Sequence, residues 1–234
     1  MRQLSHYALL ADTFRYPGAD YPMKVWDCHA ALAARHPDAA EEFAKFATHI
    51  AGLTTGQREE LYVKTFDVQA LCYPDLGFVL FGEDYKRGMF LVHMKTEHER
   101  AGTDYGTELP DHLSNVLMLI QRTTDEEFRG ELAVAVTVPA FKKMLEGFDN
   151  NKIKERMELL RKKHDAIVQE SLNYSNVYQY AIKAALLVLE SDFADVHIDV
   201  PLPKAGVIPI TPEMAAGSSF FGTRQLSPTT CQGG

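Results

Sequence analysis

Residues 175–193 read Ser175-Asn176-Val177-Tyr178-Gln179-Tyr180-Ala181-Ile182-Lys183-Ala184-Ala185-Leu186-Leu187-Val188-Leu189-Glu190-Ser191-Asp192-Phe193. From Tyr180 to Leu189 a helix made of these residues is apolar on nearly all sides, so it has no face that gains from meeting water. Such an element belongs in the middle of a bundle, with other helices packed around it. Its most apolar stretch, Ala181 to Leu189, is far shorter than the roughly 20 residues needed to cross a bilayer, so its cover has to be protein.

The covering elements are legible upstream, where apolar residues recur three and four positions apart and fall on one face of a helix. Tyr7, Leu10 and Phe14 stripe a first helix that stops before Pro17-Gly18, and a second runs from about Pro22 to Arg35. Pro37 opens a third, in which Phe43, Phe46, Ala47 and Ile50 share a face up to Gly52. Thr54 or Thr55 caps a fourth carrying Leu61, Tyr62 and Phe66. The stretch Leu71-Cys72-Tyr73-Pro74-Asp75-Leu76-Gly77 interrupts the pattern, after which Phe78 to Phe81 and Asp84 to Ala101 read as helix ended by Gly102. Asp104 to Thr107 is a loop, and Leu109, Leu113, Val116, Leu117 and Ile120 mark a helix with Pro110 in its first turn. Thr124-Asp125-Glu126-Glu127 starts another, which Pro139 breaks or kinks, and Ile153, Met157, Leu160, Ile167 and Val168 stripe one more. The expected fold is all-α: a single globular bundle of about eight to ten helices over residues 1–193.

From Ala194 the helical spacing is lost, with five prolines and five glycines in 41 residues. Residues 194–234 are therefore expected to be an extended or disordered C-terminal tail. Within it, Val200-Pro201-Leu202-Pro203 and Val207-Ile208-Pro209-Ile210 are apolar enough to lie along the bundle, whereas Gly217 to Gly234 is not.

Composition narrows the function. The chain has 234 residues and a formal charge of −8, and residues 1–120 hold 11 basic against 17 acidic side chains. A nucleic-acid role is disfavoured, because phosphate binding needs a basic face. An acidic N-terminal half instead attracts a cationic partner such as a peptide. Cys28, Cys72 and Cys231 form no CxxC pair, and the first residues lack a signal-peptide profile, so reduced thiols and a cytoplasmic location are expected, with no membrane insertion.

Sites for catalysis are sparse. No GxGxxG, Walker, HExxH or GxSxG string is present. His93 and Glu97 share a helical face and His98-Glu99 follow; they offer part of a metal site or, more simply, an exposed charged run at a helix end. Cys28-His29 is a thin candidate for a ligand or nucleophile. Two strings are denser. One is Tyr62-Val63-Lys64-Thr65-Phe66-Asp67, followed by Phe78 to Gly88, in which Tyr62 and Phe66 share a helical face and on spacing alone read as core. The other is Glu108-Leu109-Pro110-Asp111-His112-Leu113, where Glu108 or Asp111 caps a helix beside an exposed His112, or the acidic groups border a groove for a peptide carrying arginines and apolar residues.

These strings, in this order, resemble the NarJ-type molybdoenzyme assembly chaperones, the nitrate reductase delta-subunit family related to the TorD and DmsD maturation proteins. The resemblance rests on Tyr16-Pro17, then Tyr62, Phe66 and Asp67, then Phe81, Gly82, Glu83, Arg87 and Gly88, and then Glu108 through Leu113, and it covers roughly residues 4–190. Ser114, where a second proline is common in the family, and the long tail with Cys231 depart from the pattern.

The resemblance implies a cytoplasmic, all-helical, cofactor-free chaperone, not an enzyme, monomeric or weakly dimeric. It would bind the N-terminal leader of the catalytic subunit of a molybdenum oxidoreductase: nitrate reductase, or a relative acting on perchlorate, chlorate, selenate, dimethyl sulfide or ethylbenzene. It would hold that subunit during molybdenum cofactor insertion, with cofactor delivery proteins as further partners, and leave before membrane attachment or export. By position, Tyr62, Phe66, Asp67, Phe81, Arg87, Glu108, Leu109, Pro110, Asp111 and His112 would form or support the client-binding region. Two other classes compete: a helical metal-binding enzyme using His93, Glu97 and His112, and a structural subunit retained in a final complex.

Overall fold

The computed structural model describes residues 3–68, 70–149 and 177–198, and among these the fold is all-helical. The helices are α1 (His6–Thr13), α2 (Tyr21–Ala33), α3 (Pro37–Ala51), α4 (Thr55–Phe66), α5 (Leu76–Phe81), α6 (Lys86–Ala101), α7 (Leu113–Arg122), α8 (Glu126–Glu131), α9 (Val138–Glu146) and α10 (Tyr178–Asp192). A π-helical segment, Leu132–Thr137, joins α8 to α9. No helix among the described residues is long and apolar enough to cross a membrane.

The apolar rod lies where its pattern demands. Tyr178, Ala181, Ile182, Ala184, Ala185, Leu186, Val188 and Leu189 of α10 are all buried, mainly against α3 and α9. On α3 the buried residues include Phe43, Phe46, Ala47 and Ile50, the stripe read from the sequence. The contact is aromatic: ring centroids run from Phe43 to Phe46 (5.6 Å), Tyr178 (4.9 Å), Phe66 (4.8 Å) and Tyr62 (5.1 Å). The hydroxyls are not stranded, since Tyr21 donates to the Thr13 carbonyl at 2.5 Å and lies 3.0 Å from the Tyr178 hydroxyl. One core runs from Leu4 to Phe193, and Val196 packs on it where an added Cβ at Gly130 would come within 3.1 Å, so packing continues a little beyond residue 193.

Local chemistry sets the boundaries. Thr54 rather than Thr55 caps α4: its Oγ1 accepts from the Gln57 amide (3.4 Å) while the Gln57 Oε1 accepts from the Thr54 amide (2.9 Å). Only Thr54 has a glutamine three residues on; Thr55 has Arg58, which carries no acceptor. Asp125 caps α8 by accepting from the Phe128 amide at 3.0 Å. Pro139 does not break the following helix. A proline lacks an amide hydrogen and its ring crowds the carbonyl four residues back, and the wider π segment lies just upstream of it.

Pro110 is not in the first turn of α7, contrary to the apolar spacing. The helix begins at Leu113 because a turn over 109–112 is pinned against 74–76: Leu76 donates to the Asp111 carbonyl (3.0 Å), Leu113 donates to the Pro74 carbonyl (2.8 Å), and Asp75 and His112 form an antiparallel bridge. The stripe from Ile153 to Val168, the segments Val200–Pro203 and Val207–Ile210, the stretch Gly217–Gly234 and Cys231 lie outside the described residues.

Candidate functional site

The junction of residues 74–77 with 108–114 brings the two dense strings together. Asp111 is fully buried, and its Oδ2 accepts from the Gly77 amide at 2.8 Å. The fit is close enough to require glycine, because a Cβ at residue 77 would sit 2.7 Å from that oxygen and 2.8 Å from the Phe90 ring. Burial raises the Asp111 carboxyl above its ordinary value, against the Gly77 amide and the charge of Arg87. Its Oδ1 makes no hydrogen bond among the described residues.

His112 is the N-cap of α7 and is buried. Its Nδ1 accepts from the Ser114 amide (3.3 Å), which leaves Nε2 to carry the proton and face the Tyr62 hydroxyl at 3.5 Å. Tyr62 in turn donates to the Phe14 carbonyl at 3.4 Å. Burial, with Arg15 nearby, pulls the imidazole down to about 4, so His112 stays neutral at physiological pH. The exposed histidine beside a capping acid is therefore corrected: neither Glu108 nor Asp111 caps α7, and both Asp111 and His112 are interior. The bridge to 74–76 turns their side chains inward.

Above this floor the surface is acidic and aromatic. Tyr62 is buried, but the Tyr16 ring packs edge-on against it at 5.4 Å and is 55% exposed. Burial raises the Tyr62 hydroxyl well above its ordinary value, and the charges of Tyr178, Glu108, Asp75 and Asp67 add to this, so three carboxylates act on one phenol. Glu108 and Asp67 are exposed, and Leu109 beside them is 41% exposed. Asn115 shapes that loop by donating to the Tyr105 (3.2 Å) and Leu109 (2.9 Å) carbonyls. Asp75 pairs with Arg87 at 3.4 Å, and Arg87 lies 5.0 Å above the Phe78 ring. Burial and the charge of Asp111 push Asp75 up to about 6 despite that guanidinium.

The residues read from the sequence thus divide. Tyr62, Phe66, Asp111 and His112 meet, Arg87 reaches them through Asp75, and Asp67, Glu108 and Leu109 border them. Phe81 supports the corner from beneath, with its ring 5.5 Å from Phe90. Pro110 acts through its carbonyl, which accepts from His98 Nε2 at 2.9 Å and leaves His98 Nδ1 to accept from Thr103 (2.7 Å). The 93–99 run is not an exposed charged helix end either: Glu97 and His98 are buried, Arg100 pairs with Glu97 at 2.5 Å, and the mostly buried His93 is lowered to about 4 by burial and then by Arg100. His93, Glu97 and His112 do not converge on a common point. Cys28 is a core thiol that burial pushes up to about 12, which removes it as a nucleophile. Sequence reasoning missed Asp75 and Gly77 as site residues, although both sit in the Pro/Gly interruption at 71–77.

Compared with models of known protein families and with curated proteins, the chain matches none.

Proposed function

We propose that this chain is a chaperone that makes no bonds itself and grips the N-terminal leader of a molybdenum oxidoreductase's catalytic subunit until the cofactor is in place. The observation that carries this reading is the junction around Tyr62, where an exposed tyrosine and an exposed leucine stand beside three carboxylates over a buried Asp111–His112 floor. A leader with arginines and apolar residues matches both parts: its charges meet Asp67, Asp75 and Glu108, and its side chains cover Tyr16 and Leu109. The family resemblance of the same strings supplies the kind of client. Work of this sort needs only a difference in affinity, tight for the unloaded client and weak for the mature one.

The test is calorimetry with synthetic N-terminal leaders of molybdenum oxidoreductase catalytic subunits. Binding that weakens as salt screens the carboxylates is the expected result. Absence of heat with every such leader, or turnover of a substrate by the purified chain alone, removes the proposal.

A further inference from the structure

Away from that junction, three ends of helices meet in one polar spot. His6 is the first residue of α1, His36 is the N-cap of α3, and Asp192 is the last residue of α10. Asp192 Oδ2 lies 2.8 Å from His6 Nε2, and Asp192 Oδ1 lies 3.4 Å from His36 Nε2. All three ligating atoms fall within 4.8 Å of one another, and among the described residues this is the one such group. The three side chains are 2%, 8% and 11% exposed.

Hydrogen bonding alone leaves this arrangement incomplete. One proton on His6 Nε2 satisfies one carboxylate oxygen, but His36 Nε2 is buried and makes no hydrogen bond among the described residues. The two rings are 5.1 Å apart.

We propose that His6, His36 and Asp192 bind one borderline divalent transition metal, of which Zn2+ is the type. Bonds of about 2.0–2.2 Å in a tetrahedral shell place ligand atoms about 3.3–3.6 Å apart; the 3.4 Å between His36 and Asp192 falls in that range, and the 2.8 Å hydrogen bond between His6 and Asp192 has to open slightly to admit the ion. Two imidazoles and one carboxylate select Zn2+, Co2+ or Ni2+ over Mg2+ or Ca2+, which take oxygen ligands. The ion bonds His36 Nε2, which makes no hydrogen bond among the described residues, and ties the first and last described helices to the start of α3. Three protein ligands leave a fourth position for water. Site and leader-binding junction share no residue, so either is testable without the other.

The experiment uses the full chain, purified without a histidine tag and stripped with chelator, titrated with Co2+ alone and with Zn2+ alone. One equivalent of Co2+ is expected to give the visible absorption of a four-coordinate site, Zn2+ is expected to displace it, and the thermal midpoint is expected to rise with Zn2+ concentration. His36→Gln should lower Zn2+ affinity at least tenfold while keeping the far-ultraviolet spectrum, because His36 makes no side-chain capping bond. Asp192→Asn should do the same, and His93→Gln should change nothing. Binding that persists undiminished in folded His36→Gln, binding lost in His93→Gln instead, or no Co2+ spectrum in the wild type each overturns the proposal.

Discussion

The interior around α10 and the junction around Asp111 are both buried but are held in different ways. Around α10, rings and aliphatic side chains fill the space, and the two buried hydroxyls of Tyr21 and Tyr178 face each other. At the junction, a carboxyl, an imidazole and two stretches of main chain are buried together and held by a few directional bonds. The first kind of region resists change through volume, the second through geometry and protonation. A surface able to release a client fits the second kind better, because polar contacts are easily rebalanced whereas packed rings are not.

Substitutions in the two regions should therefore fail differently. Phe46→Ala removes a ring packed against Phe43 and Tyr178 and should cost about 3–5 kcal/mol in urea unfolding, the largest loss expected. A loss under about 1 kcal/mol would show that the ring core is no stiffer than the junction. Next, Gly77→Ala drives a Cβ into Asp111 and the Phe90 ring and should cost about 1–3 kcal/mol. Gly88→Ala, with nothing within 4 Å of its Cβ on α6, should be neutral or gain up to about 1 kcal/mol from helix propensity. Equal losses in the two alanine variants would dissolve the close approach at Gly77.

Protonation sharpens the contrast further. His93 and His112 titrate near 4 in the fold against an ordinary 6.5, so the unfolded chain takes up protons first and stability falls as pH drops through 6.5 to 4. Asp75 runs the other way: at about 6 against 3.8, the folded form takes up the proton first, and stability rises as pH drops through 6 to 4. Asp75→Asn deletes the opposing slope, so its stability should fall more steeply with acid than the wild type's in melts between pH 7 and 4. Parallel curves would mean Asp75 is not held protonated by burial. Smallest in stability is the double change Glu108→Gln with Leu109→Ser, both exposed, expected to shift unfolding by no more than about 0.5 kcal/mol. The same pair should weaken the proposed leader binding and reduce its salt dependence; unchanged affinity would remove this junction as the proposed binding site.

Much of this fold was legible because apolar spacing is a one-dimensional record of a face. The stripes of α1, α3 and α10 and the glycine end of α6 at Gly102, where φ is +62°, appear where the residues place them. Spacing misled at Leu109 and Pro110, which continue the α7 period but belong to a loop, since a bridge to residues sequence-distant from them competes with the helix. It also misled at Glu97, His98, Asp111 and His112, where polar residue types suggested solvent. Burial of a polar group depends on a partner, and the partners here, Gly77, Arg100, Pro110 and Ser114, carry no periodic signal.

The order of residues alone determined an all-helical chain with a central apolar rod, an acidic first half and two strings of unusual density, because helix periodicity and charge are local properties. Tertiary structure alone decided that those strings meet, that Asp111 and His112 are buried beneath an exposed Tyr16, and that His6, His36 and Asp192 converge from opposite ends of the chain. Proximity and desolvation are set by how faces pack across long sequence separations, and no window of neighbouring residues encodes them.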